Sequence, residues 1–87
     1  MHISRMDLNL FVVLETIYSE GNITRASQKL NLTQPAVSHA LGRLRDLLKD
    51  PLFVRQGANM VATPFTRNII TPVRQALQTL ELSRSEE

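Results

Sequence analysis

Thr33-Gln34-Pro35-Ala36-Val37-Ser38-His39-Ala40-Leu41-Gly42-Arg43-Leu44-Arg45 reads as a helix with one apolar face and one face prepared for a polar partner. The Thr33 hydroxyl can accept a hydrogen bond from an orphan N–H of the first turn, and Pro35 falls where a missing N–H does no harm. Turning about 100° per residue places Val37, Ala40, Leu41, Leu44, Leu47 and Leu48 in one broad arc, which must be buried. Pro35, Ser38, His39, Gly42 and Asp46 fall opposite. That exposed side is small and uncharged at its N-terminal end, with Arg43, Arg45 and Lys49 flanking it further along. It is suited to close approach.

The chain has 87 residues, enough for one domain with a modest core. It lacks Cys, and His2 and His39 are far apart, so neither a disulfide frame nor a metal site is expected, and no cofactor. Dispersed carboxylates without converging titratable partners argue against an enzyme, and no catalytic residue is assigned. The longest apolar run, Leu10 to Leu14, is far below a membrane span, and Met1-His2-Ile3-Ser4-Arg5-Met6-Asp7 is not the start of a signal peptide. A soluble cytoplasmic protein is expected. The formal charge is only +2, but its distribution is uneven. Between Gly21 and Gln56 lie Arg25, Lys29, Arg43, Arg45, Lys49 and Arg55 against Asp46 and Asp50, whereas Glu81 to Glu87 is acidic. Charge alone does not distinguish a ligand surface from a solvated one.

Asp7 is positioned to cap a first helix over 8–20, carrying Leu8, Phe11, Val12, Leu14, Ile17 and Tyr18 and closed by Gly21. Its several apolar sides suit a central packing element. Asn22 caps a short second helix over 23–30, with Ile23, Ala26 and Leu30 inside. Asn31-Leu32 then connects tightly to the Thr33 cap, with Leu32 expected to turn inward. Two helices so joined, over about 23–42, form a helix-turn-helix, whose second helix enters the DNA major groove.

Asp50-Pro51 ends the third helix. Leu52-Phe53-Val54-Arg55 and Met60-Val61-Ala62-Thr63, separated by Gln56-Gly57-Ala58-Asn59, read as a hairpin whose Phe53 and Val61 pack on the helices. A hairpin after a reading helix is a wing, with its tip over the backbone or minor groove and Arg55 beside it. Thr63-Pro64 starts a last helix, in which Ile69, Val73, Ala76 and Leu80 form one apolar stripe and Ile70 and Leu77 a parallel one, with more length than the domain needs. A two-fold related copy is the simplest cover. Pro72 falls inside this helix, where it should kink it or leave the Asn68 carbonyl without its helical donor. Past Leu82 the chain ends in polar residues, as a piece of a longer protein would. The fold expected is mainly α: a winged helix-turn-helix over 1–63, with three helices and a two-stranded wing, then a dimerisation linker helix over 64–87.

Several strings resemble the N-terminal region of LysR-type bacterial transcription regulators: Asp7-Leu8-Asn9-Leu10-Phe11, Asn22-Ile23-Thr24-Arg25-Ala26-Ser27, Leu32-Thr33-Gln34-Pro35-Ala36-Val37-Ser38, Leu41-Gly42-Arg43-Leu44 and Pro51-Leu52-Phe53-Val54-Arg55. The likeness spans nearly the whole chain. Ala62-Thr63-Pro64-Phe65 departs from the common Leu-Thr-x-Ala-Gly and resembles the branch of nodulation and aromatic-degradation regulators. The resemblance implies an antiparallel dimer through the linker helix, tetramers of the full-length protein, and a C-terminal sensor domain for a small inducer, which this chain does not include. It also implies double-stranded DNA as partner, an AT-rich inverted repeat.

By position in that pattern, Thr33, Gln34, Pro35, Ser38 and His39 form the groove-facing set. Gln can pair with adenine through N6 and N7, and Ser38 can serve phosphate or base. Thr33 is a helix cap first, with DNA contact additional, and an exposed helical His is more often simply solvated. Arg25, Arg43 and Arg55 suit phosphate neutralisation, and Asn22 and Thr24, at the start of the second helix, suit a phosphate there. An alternative of another class is a pure protein-interaction module, whose apolar pairing would hardly respond to salt, whereas DNA binding would weaken steeply.

Overall fold

The starts of α2, α3 and α4 and the ends of α1, α2 and α3 fall on residues suited to the task. The computed structural model describes the backbone of residues 9–85 and the side chains of residues 9–81; His2, the expected Asp7 cap and Leu8 lie outside the described residues. The elements are α1 (Asn9–Glu20), α2 (Ile23–Leu30), α3 (Gln34–Leu48), β1 (Phe53–Gln56), β2 (Asn59–Ala62) and α4 (Pro64–Ser85). The backbone N–H of Arg25 donates to Asn22 Oδ1 at 2.9 Å, and that of Ala36 to Thr33 Oγ1 at 3.2 Å, so both expected caps form. Gly21 at φ 68° closes α1, while Asn31 and Lys49 take left-handed conformations after α2 and α3.

α1 packs against α2, α3, α4 and β2, the central role its several apolar sides imply. It buries Leu10, Val13, Leu14 and Ile17 against Ile23 and Ala26 of α2, Val37, Leu41 and Leu44 of α3, and Leu52 and Phe53 at the root of the wing. Val12 stays outside, 39% exposed. Leu32 is exposed too, contrary to its expected inward turn. Asn31 takes the left-handed conformation and the Leu32 N–H donates back to the Ser27 carbonyl, a geometry that closes α2 and directs the next side chain to solvent.

β1 and β2 pair antiparallel, with Phe53 opposite Ala62, Val54 opposite Val61, Arg55 opposite Met60 and Gln56 opposite Asn59. The link is therefore a two-residue turn, Gly57-Ala58, rather than the four residues 56–59, and each strand is offset by one from the expected segment. Gly57 has φ 61°, the positive value a two-residue hairpin needs at its first central position. The pairing also decides which side faces the core. Met60 and Ala62 pack on it beside Phe53, whereas Val61 shares the outer face with Val54.

The root of the wing holds an unusual backbone. Leu52, fully buried and not a glycine, sits at φ 66°, a conformation that costs a branched residue about 1–2 kcal/mol. Its N–H donates to Asp50 Oδ1 at 2.8 Å, and its carbonyl accepts from the Thr63 N–H at 2.9 Å and from the Thr66 hydroxyl at 2.8 Å. The Thr63 hydroxyl donates to the same Asp50 oxygen at 2.8 Å and accepts from the Thr66 N–H at 3.3 Å, capping α4. One cluster thus strains Leu52, ends β2 and starts α4. Thr66→Val keeps the shape but removes a buried donor from the Leu52 carbonyl. Because the Leu52 carbonyl keeps its bond from the Thr63 N–H, the cost is expected to be about 0.5–1.5 kcal/mol, and thermal melting should show a drop of roughly 4–8 °C per kcal/mol.

α4 runs on through Pro72, where the Asn68 carbonyl has no helical N–H to accept. Within the described residues the architecture is a mainly α winged helix-turn-helix with a trailing helix, and the domain measures 42 × 28 × 21 Å.

Candidate nucleic-acid interface

The apolar arc of α3 fixes what its opposite side presents. Val37, Leu41 and Leu44 are buried, with Ala40 and Leu48 packed beside them, so Gln34, Pro35, Ser38 and His39 are turned to solvent on a rigid support. Among the described residues, the side chains of Gln34, Ser38 and His39 make no hydrogen bond or ion pair inside the domain. Thr33 is exposed, but its hydroxyl is engaged in the cap. Gly42 lies on this side as well. A Cβ there would meet nothing within 4 Å, so no internal contact requires the glycine, which costs a helix about 1 kcal/mol relative to Ala.

The basic residues divide into two groups. Lys29 pairs with Glu20 at 3.5 Å. Arg45, expected to flank the exposed face, turns instead to the wing, its Nε donating to the Pro51 carbonyl at 2.7 Å and its Nη2 to the Phe53 carbonyl at 3.0 Å. It buckles α3 to β1. Arg25, Arg43, Lys49 and Arg55 remain exposed, with no side-chain partner among the described residues. Arg25 stands in the first turn of α2, Arg43 on α3 and Arg55 on the wing.

Asn22 does more than cap α2. While its Oδ1 accepts from Arg25, its Nδ2 donates to the Ala58 carbonyl at the wing tip, at 2.7 Å, and the Met60 N–H donates to the Gly21 carbonyl at 2.9 Å. The α1–α2 turn thereby grips the wing. Thr24 next to it is exposed, its carbonyl taken by the Ser27 hydroxyl. The amide of a cap residue carries a second polar group that sequence spacing cannot assign, so this tether has no signal in the sequence. The Asp50 cluster had a partial signal in Asp-Pro, a turn-forming pair.

The residues expected to meet a second chain also converge. Ile69, Val73, Ala76, Leu77 and Leu80 line one open apolar groove of about 360 Å³, together with Phe11, Leu48, Phe65 and Pro72. Ile70, on the adjoining stripe, is buried within the domain itself. No described helix is long and apolar enough to cross a membrane.

Residues 8–67 match the family model described as bacterial regulatory helix-turn-helix protein, lysR family. The chain is 43% identical over 83 residues to nodulation protein D of Bradyrhizobium sp. (strain ANU 289), covering 95% of this chain and 25% of that protein. It is 44% identical over 81 residues to the HTH-type transcriptional activator NagR of Ralstonia sp., covering 93% of this chain and 27% of that one. The chain therefore spans about a quarter of the length of these curated relatives. Among solved structures, a probable transcriptional regulator, PA0477 from Pseudomonas aeruginosa, superposes with a TM-score of 0.91 at 39% identity, over 97% of this chain and 28% of that one. The DNA complex of the CbnR DNA-binding domain shares the fold, with a TM-score of 0.85 at 18% identity over 93% of both chains. With caps, wing, the exposed face of α3 and family match in agreement, the chain belongs to the lysR family of bacterial regulatory helix-turn-helix proteins and carries its DNA-binding domain.

Proposed function

We propose that residues 1–63 form the operator-reading domain of a cytoplasmic bacterial transcription regulator, and that 64–87 form its linker helix. Two copies grip an interrupted, AT-rich inverted repeat, with one α3 per half-site in the major groove and wings toward the minor groove. The observation that carries this reading is the α3 face on which the side chains of Gln34, Ser38 and His39 project from a buried scaffold with no partner among the described residues. Gln34 and His39 reach base edges, Thr33, Pro35 and Ser38 line the approach, and Arg25, Arg43 and Arg55 neutralise phosphates. Thr24 borders a phosphate at the start of α2. Asn22 assists it chiefly by holding the wing, since both ends of its amide are already bonded. The α4 groove takes α4 of a second copy. A small inducer acts through a C-terminal domain of the full-length protein, which assembles into tetramers.

The test is fluorescence anisotropy on duplexes selected from a random-sequence pool, at low and physiological salt. Gln34→Ala should keep the thermal melt and lose about 1–3 kcal/mol of discrimination at one base pair. Unchanged discrimination in Gln34→Ala would remove Gln34 from the reading set. Binding that ignores both sequence and salt would favour a protein-interaction module instead.

A further inference from the structure

α4 is anchored to the domain over its first turns and leaves it over its last. Thr66 and Ile70 are buried, and Val73 is the last described α4 residue packed against the core. Beyond it the described α4 residues are exposed, apart from the half-buried Leu77. Pro72 lies at this transition and removes one hydrogen bond from the helix ladder, so backbone stiffness alone does not fix the direction in which the distal part departs.

Two residues further on, Arg74 grips α1. Its Nε donates to Glu15 Oε2 at 3.0 Å and its Nη2 to the Ser19 hydroxyl at 3.1 Å, while that hydroxyl donates to the same Glu15 oxygen. The guanidinium carbon lies 5.1 Å from the centre of the Tyr18 ring. Glu15, Tyr18 and Ser19 are spaced i, i+3 and i+4 and so present one face of α1. Two directed hydrogen bonds and a stacked ring fix both the position and the plane of the guanidinium. The Arg74 and Glu15 side chains are 44% and 27% exposed, and an ion pair at that exposure adds little to stability. The contact therefore bears on orientation more than on stability, since its two directed bonds and ring contact single out one placement of α4 against α1.

We propose that Arg74 is a spacing-determining residue: by clamping α4 to α1 beyond Pro72, it fixes the angle between the two reading helices of a dimer and so the half-site separation the protein accepts. The inference rests on the DNA-reading dimer proposed above. A rotation of about 10° acting over half the 42 Å long axis displaces a reading helix by about 4 Å, comparable with the roughly 3.4 Å rise of one base pair. A loosened clamp therefore tolerates neighbouring registers without altering what each α3 reads.

The experiment uses the full chain, Arg74→Met, which keeps the aliphatic stem, and Glu15→Gln, which removes the opposing charge. Sedimentation first sets a protein concentration at which each is dimeric. Affinities are then measured for a selected half-site alone and for inverted repeats of it whose spacer varies by single base pairs. The native chain should prefer its best spacer about tenfold over spacers one base pair longer or shorter, and both variants less than about threefold, with half-site affinity held within about twofold. A spacer profile unchanged in both variants, at unchanged half-site affinity, overturns the role of Arg74. Absence of sequence-dependent binding by the native chain overturns the operator-reading function itself, and the inference with it.

Discussion

Leu44→Asp is expected to leave the chain unfolded at 25 °C, with its helical circular dichroism lost and no binding to any duplex at any salt. Leu44 is fully buried at the centre of the α3 arc, among side chains of α1, α2 and the wing root that offer no partner to a carboxylate. Burying that group unpaired costs several kcal/mol, on top of the packing lost. The whole stability of a domain this small is on the order of 5–10 kcal/mol. Leu44→Ala separates the two contributions. It should lose about 2–5 kcal/mol through the cavity alone and keep a cooperative melt. The contrast with Gln34→Ala is diagnostic, because on the proposed reading that substitution removes a choice of base from an intact domain.

Phe53→Ala should weaken the domain by about 3–5 kcal/mol, with the denaturation midpoint falling at a nearly unchanged slope. Phe53 is 1% exposed, the largest of the fully buried side chains, and it anchors the wing to the helices. Without it the hairpin depends on the Arg45 bonds to the Pro51 and Phe53 carbonyls and on the Asn22 and Gly21 tethers. A two-stranded hairpin has little stability of its own. Amide exchange should therefore accelerate first across the Val54 to Val61 pairing. DNA affinity should fall through the loss of an ordered Arg55, while the ranking of base pairs, set by α3, is retained.

The helices were legible because their signals are local. Asn22, Thr33 and Thr63 each place an oxygen where a first-turn N–H needs it, and α2 spans the residues its cap and apolar spacing indicated. The wing was legible as a hairpin, and its expected segments already place Arg55 opposite Met60, as observed. The link was not, because a four-residue loop and a two-residue turn fit the same Gln56-Gly57-Ala58-Asn59, and Val61, paired with Val54, lies on the face away from Phe53, so that Met60 and Ala62 pack on the core instead. Arg45 looked like Arg43 because charge does not reveal a partner, and the carbonyls it meets belong to a segment whose path depends on Leu52. That path is set by Asp50, Thr63 and Thr66 together, a tertiary cause with no local pattern. Ile69, Val73, Ala76, Leu77 and Leu80 line one groove because helical spacing survives folding, whereas Phe11, Leu48 and Phe65 join them only through tertiary packing. The Arg74 clamp joins residues 55 and 59 positions apart and left no trace in periodicity.

Because the side chains of Gln34, Ser38 and His39 make no hydrogen bond or ion pair among the described residues, substitutions there are nearly exempt from the folding penalties that constrain Leu44 or Phe53. A duplicated gene can therefore drift at these three codons while its product still folds. On the proposed reading, target preference and survival of the fold are then inherited on separate sets of positions.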